Sequence, residues 1–321
     1  MSRKLITIIG LLSILISIII ILIIKIIGNK DQIIEVKADS DLGFYTNYYL
    51  YIPHNIDREN INYLLVEPNN TGTVSDDHKV HEADVIEKIK GGLSVQIAKE
   101  LKIPLLVPVF DRPKSKWEMY THALDRDSLM NKEGDLGRID LQLIGMLDNT
   151  KKLLKKRGIK IWDEVLMTGF SASGNFVNRF AAIHPKRVKG VAAGGVNCMP
   201  ILPIENLMEY QLIYPIGIYD LKEITGVEFD LTAYSDVAQY IYMGSEDEND
   251  TLPYDDAFSD EERKLILNVL GGDMHERWEI SKGIYEEVEV PAELVMYEGI
   301  GHTINEEILN DIVMFFQRII Y

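Results

Sequence analysis

The stretch Glu164–Asn175, E-V-L-M-T-G-F-S-A-S-G-N, constrains this chain more than any other. An apolar run, Val165–Met167, passes through Thr168-Gly169 into Phe170-Ser171-Ala172-Ser173-Gly174, and a helix-compatible segment from Asn175 to His184 follows directly. A buried strand that turns sharply into a helix can hold a serine side chain clear of the backbone at the bend. Such a bend crowds its flanks, so the pattern wants glycine two places before and two places after the serine. Gly169 meets the first demand; Ser173 stands at the second, with Gly174 one place late. Shifting the register to make Ser173 the exposed serine would flank it with Ser171 and Asn175, neither of them glycine. Ser171 is therefore the candidate nucleophile. The same residues could instead form a plain Gly/Ser turn that caps the next helix through either serine.

Around this stretch, apolar runs punctuated by Gly and Pro predict further strands. They fall at Tyr45–Ile52 (a tyrosine-rich edge strand ending at Pro53), Ile61–Glu67, Ile103–Phe110, Ile161–Met167, Lys189–Ala193, Gln239–Met243 and Ala292–Tyr297. Helical spacing covers Asp84–Leu101, softly broken at Gly91-Gly92, then Leu136–Lys156, Ser259–Leu270, His275–Glu287 and Ile304–Ile320. Strands that alternate with helices give an α/β class with a mostly parallel sheet. Residues 196–236 carry no clear period and read as a possible lid or insert.

The N-terminus is different in kind. Leu5–Ile27 is an almost unbroken Ile/Leu run of about 23 residues, roughly 30 Å or slightly more as a helix, enough to cross a bilayer core. Arg3 and Lys4 precede it, and no small-residue cleavage site follows it. Residues 1–30 are expected to be an uncleaved signal anchor, a single transmembrane helix with the remainder outside the cytoplasm. A signal peptide cut at an atypical site is the alternative. Residues 31–44 read as a short tether, and 45–321 as one catalytic domain.

The net charge of −17, from 50 acidic against 33 basic residues, repels phosphate backbones, so nucleic acid is not an expected partner. The single cysteine, Cys198, allows no intramolecular disulfide and no cysteine-based metal site. It reads as a small buried hydrophobe.

Two more strand ends carry residues that could serve Ser171 in acyl transfer, in the chain order nucleophile, acid, histidine. His302 follows Ala292–Tyr297 in the turn Gly299-Ile300-Gly301-His302, from which an imidazole can reach back over the sheet edge as general base. The acid belongs on the loop after Gln239–Met243, Gly244-Ser245-Glu246-Asp247-Glu248-Asn249-Asp250. The spacing G-x-x-D selects Asp247, with Asp250 second; the loop lacks the glycine of a calcium-binding loop. An oxyanion hole needs two donors. One is the amide of Ala172, and the other comes from Pro68-Asn69-Asn70-Thr71-Gly72, with Asn70 preferred to Thr71. On the loop after Ile103–Phe110, Trp117, Tyr120 and His122 could line a substrate pocket. Arg112 there could pair with Asp111 or with a substrate carboxylate.

The elbow, the G-x-x-D loop and the G-x-G-H turn, in order over about four fifths of the chain, make it resemble the α/β-hydrolase superfamily. More narrowly, it resembles the bacterial esterase and polyester-depolymerase-like branch. The resemblance implies an acyl-enzyme at Ser171, with His302 as base and Asp247 as orienting acid, no cofactor and no metal. The substrate would be a small or polymeric ester. A serine peptidase, or an inactive binding protein on the same fold, stays open.

Overall fold

A computed structural model of the chain describes residues 30–70 and 72–321. The expected anchor helix, Leu5–Ile27, lies outside the described residues, as does Thr71. Among the described residues no helix is long and apolar enough to cross a membrane.

Eight strands form the main sheet: β1 (Gln32–Val36), β2 (Tyr48–Ile52), β3 (Leu65–Val66), β4 (Leu105–Pro108), β5 (Val165–Phe170), β6 (Val188–Gly194), β7 (Ala238–Gly244) and β8 (Ala292–Tyr297). Their order across the sheet is β1-β2-β4-β3-β5-β6-β7-β8. β2 runs antiparallel to both neighbours, and every other pairing is parallel. The interior parallel strands, β3 to β7, are largely buried, which is why they read as continuous apolar runs rather than as alternating ones; β8, at the sheet edge, is only partly buried.

The longer helices are α1 (His78–Gly91), α2 (Leu93–Leu101), α3 (Ile139–Lys156), α4 (Ala172–Ile183), α5 (Asp260–Val269), α6 (Met274–Glu287) and α7 (Glu306–Ile320). Those with α1, α2 and α7 pack on one sheet face through Val85, Ile89, Leu101, Ile312 and Phe316. On the other face α3 to α6 bury Leu143, Met146, Phe176, Phe180, Ile266 and Trp278. Along β5 the residues alternate between these layers, Val165 and Met167 to one and Leu166 to the other. A slip of one residue would exchange the layers. Each such side chain contributes about 2 kcal/mol on burial, so the register of the strand that delivers Ser171 is held firmly.

Three expectations are corrected at the N-terminal side. The segment expected as a tether holds β1, paired along its length with β2. β2 is consequently an interior strand rather than an edge, and all five of its residues are buried. A Tyr-Tyr-Leu-Tyr-Ile strand tolerates this because every phenol finds a partner: Tyr48 with Asn149 and Thr150, Tyr49 with Glu82, Tyr51 with Asp31. The strand expected over Ile61–Glu67 is two pieces, Ile61–Asn62, paired with Lys160–Ile161, and β3.

Residues 196–236 hold a small hairpin, Asn206–Leu207 with Tyr210–Gln211, and the short helices Leu221–Thr225 and Leu231–Ser235. Val196, Ile201, Leu202, Leu212 and Tyr214 from this segment are buried in the main core. It is packed into the body of the domain.

Candidate active site

Ser171 stands at the junction of β5 and α4 with φ 61° and ψ −126°. A non-glycine residue in that region is strained by about 1–3 kcal/mol and persists only where its surroundings hold it. Here the Ser171 amide donates to the Gly194 carbonyl at 2.9 Å, and its own carbonyl accepts from Asn175 at 3.0 Å. The hydroxyl makes no capping hydrogen bond to α4, so the turn does not use Ser171 as a helix cap.

The departure at Ser173 has a structural reason. A Cβ at Gly169 would come within 2.2 Å of the Ser173 carbonyl oxygen, and one at Gly174 within 2.2 Å of the Gly194 oxygen. The close approaches therefore fall at 169 and 174, and position 173 has room for a side chain. Ser173 turns that side chain inward: its Oγ accepts from the Phe170 amide at 3.0 Å and donates to the Phe170 carbonyl at 2.9 Å. It is buried and staples the bend, while Ser171 faces a cavity.

His302 Nδ1 lies 2.8 Å from Asp247 Oδ2, and the Asp247 carboxylate is almost wholly buried. Asp250, the second candidate acid, is instead engaged by Arg277 at 2.7 Å. The other Asp247 oxygen accepts from the Asn249 amide at 2.9 Å. With Nδ1–H committed to the carboxylate, Nε2 of His302 is left as the acceptor, and the Asn249 side-chain amide approaches it at 3.3 Å. The imidazole packs on the ring of Phe170, the residue before Ser171, with centroids 4.6 Å apart.

The two loops that carry the acid and the histidine touch through their backbones. Ser245 donates to the Tyr297 carbonyl and Glu246 to that of Ile300, at 2.8 and 2.9 Å. Gly244 makes this possible, since a Cβ there would lie 2.0 Å from the Ile300 oxygen.

Ser171 and His302 line one cavity of about 590 Å³, together with Asn70, Tyr120, Ala172, Asn175, Arg179 and Asn249 among others. The half-buried serine shares this cavity with a histidine that is itself oriented by a buried carboxylate, an arrangement suited to nucleophilic attack with proton transfer. Ala172 opens α4, where the first amides have no acceptor within the helix. Among the described residues no group of three or more His, Cys, Asp or Glu could hold a metal ion. Cys198 is buried, and burial pushes its thiol up to about 12, so it is an inert thiol.

No family model and no curated protein sequence matches this chain. Solved structures do. A poly(aspartic acid) hydrolase from Sphingomonas sp. KT-1 superposes with a TM-score of 0.53 at 17% identity, over 85% of this chain and 92% of that one. An S-formylglutathione hydrolase from Agrobacterium tumefaciens gives 0.51 at 13% identity, over 91% and 96%. A poly(3-hydroxybutyrate) depolymerase from Bordetella parapertussis gives 0.50 at 15%, over 85% of each. The chain has the α/β-hydrolase fold.

Within this α/β-hydrolase fold the pocket residues expected from sequence divide. Tyr120 lines the cavity. Trp117 does not; the turn that carries it leaves it 47% exposed, against a separate hollow of about 370 Å³. His122 is wholly buried behind the wall, its Nε2 donating to the Phe110 carbonyl at 2.8 Å, and burial lowers its pKa to about 3. It is a neutral structural histidine. Asn69 clasps Phe110 through both backbone groups, at 2.8 and 2.9 Å, which fixes the loop presenting Asn70. Asn70 lines the cavity, and its side-chain amide lies 3.3 Å from the Phe170 carbonyl.

Arg112 pairs with Asp256 rather than Asp111, which takes His78 instead. The Arg112 guanidinium lies 3.7 Å from the centre of the Tyr120 ring. Of residues 196–236, only Asn197 reaches the cavity; its outer wall comes from residues 249–258. Asn249, Arg179 and that wall were missed from sequence, because loop and mid-helix positions gain meaning only once the chain is folded.

Proposed function

We propose that the protein is a membrane-anchored serine hydrolase acting outside the cytoplasm, and that its substrates are carboxylic esters, small or polymeric. The observation that carries this reading is the convergence on one cavity of Ser171, held at positive φ, and the His302–Asp247 pair. The hydrolases and depolymerases that share the fold support the coarser part of it.

In this mechanism Ser171 Oγ attacks the ester carbonyl carbon while Nε2 of His302 takes the hydroxyl proton. Asp247 stabilises the resulting imidazolium through Nδ1–H. The developing oxyanion is received by the Ala172 amide and by a donor from the Asn70 turn. Collapse of the tetrahedral intermediate expels the alcohol, which leaves with the proton from His302. Water, deprotonated by the same imidazole, then releases the acid and restores Ser171. Asn249 must release Nε2 for the first transfer, so its amide is a gate on the base.

The test is Ser171→Ala. Turnover of p-nitrophenyl acetate is expected to fall by about 10⁴-fold or more, and a fluorophosphonate is expected to label the wild type at Ser171 alone. Unchanged turnover in the variant would end the proposal.

A further inference from the structure

The cavity beside Ser171 carries a positive charge that ester hydrolysis by itself does not need. Arg179 follows Ser171 and Asn175 along α4 at spacings of four, and all three line the cavity. The backbones of Ser171 and Arg179 are about 12 Å apart along the helix axis. Helical side chains lean toward the helix start, which carries the guanidinium back toward the serine.

Arg179 is only 5% exposed, and its Nη1 donates to the Ala123 carbonyl at 2.8 Å. The neighbouring arginines of the domain have carboxylate partners: Arg112 has Asp256, Arg126 has Asp220, Arg138 has Asp140 and Arg277 has Asp250. Arg179 forms no ion pair among the described residues. The acids that feel its charge, Asp125 and Glu262, are themselves buried, and burial pushes both carboxyls up, Asp125 to about 7. Neither lies within ion-pair distance of the guanidinium. On the cavity wall Asp256 is already spent on Arg112, so the Arg179 guanidinium is left without a carboxylate partner. A buried cation without a counter-ion is costly, and a bound anion would remove that cost.

We propose that Arg179 is a specificity-determining residue that receives a substrate carboxylate, and that the substrates are esters with a carboxylate on a short spacer from the scissile carbonyl. This rests on Ser171 as the nucleophile. Attack at the serine places the carbonyl at the head of α4, and the spacer then runs past Asn175 to the guanidinium.

The experiment compares mono-p-nitrophenyl adipate with p-nitrophenyl hexanoate, which share a six-carbon acyl chain and differ in the terminal carboxylate. The wild type is expected to favour the adipate ester in kcat/KM by about ten- to a hundredfold, the scale of a charge-assisted contact. Arg179→Gln is expected to abolish most of that preference, and Arg179→Lys to retain part of it. Calorimetry of adipate against Ser171→Ala gives a readout that needs no turnover, with binding expected there and lost in the Ser171→Ala, Arg179→Gln double variant.

A wild type that prefers hexanoate, a preference that survives in folded Arg179→Gln, or no adipate binding to Ser171→Ala would each overturn the proposal. If Arg179→Gln does not fold, the wild-type ratio and the Lys variant decide. Adipate binding alongside undiminished turnover by Ser171→Ala would sink the nucleophile and leave the anion site standing.

Discussion

Asp247 and Asp250 lie three positions apart in one acidic loop, yet the fold gives them unlike tasks. Asp247 orients His302, whereas Asp250 neutralises Arg277, whose side chain is wholly buried. The sequence could nominate both but could not rank them by contact, because a loop of Glu, Asp and Asn offers a carboxylate at almost any position. Their variants are expected to fail differently. Asp247→Asn should cost about 10⁴-fold in kcat, since the amide cannot stabilise an imidazolium, with a melting temperature close to wild type. Asp250→Asn should keep most activity but lose about 3 kcal/mol of stability by leaving a buried charge unpaired. Parallel esterase assays and urea titrations separate the two, and the reverse pattern would exchange the roles. Ser173 makes the same point in another form. The residue that departs from the expected glycine is accommodated because the crowding falls one position later, a fact of backbone approach that spacing does not carry.

Among the elements, the strands that lead into glycine-bearing turns are the most legible, whether interior like β5 or at the sheet edge like β8. β8 has the bounds expected for it, Ala292–Tyr297, whereas the elbow strand expected over Ile161–Met167 is β5, Val165–Phe170, with Ile161 in the separate pairing with Ile61–Asn62. β1 is not legible in the sequence because it is short, has no buried residue and carries polar residues at its first and fourth positions, so its pairing with β2 is a tertiary fact. Helix ends also hold chemistry that periodicity hides. Asp140, in the first turn of α3, accepts from Arg138 at 2.7 and 2.8 Å and from His184, just past α4, at 2.8 Å. Burial pulls its carboxyl upward, but those donors outweigh it and hold the pKa at about 2 against an ordinary 3.8. The unfolded chain therefore binds more protons between these values. The contribution is complete above about pH 4 and is lost as pH falls through about 2. Nearly two pKa units correspond to about 2 kcal/mol. Urea midpoints at pH 4.5 and 2.5 should fall further for wild type than for Asp140→Asn. Equal declines would remove this tie between α3 and the helix that follows Ser171.

For the whole molecule, the net charge of −17 sets the field through which any substrate arrives. An anionic ester approaches against that field and is held at Arg179 over short range. Salt screens the long-range part first, since the Debye length is about 8 Å at 0.15 M. Raising NaCl from 20 to 200 mM should thus increase kcat/KM for the adipate ester by about two- to fivefold and leave the hexanoate ester unchanged. A decrease would contradict steering by the net charge. Location is tested on intact cells. The protein should sediment with membranes and resist high-salt extraction, and added protease should cut the domain without lysis. Protection from protease in unbroken cells would place the domain on the inner side.

The clasp between the β7 and β8 turns has an engineering consequence. The Asp247 and His302 loops are joined through main chain, Ser245 to Tyr297 and Glu246 to Ile300, whereas the rim residues 254–258, further along the chain than Asn249, take no part in those bonds. Tailoring can accordingly be modular: grafted rims could redirect selectivity while the proton-handling cartridge beneath them stays intact.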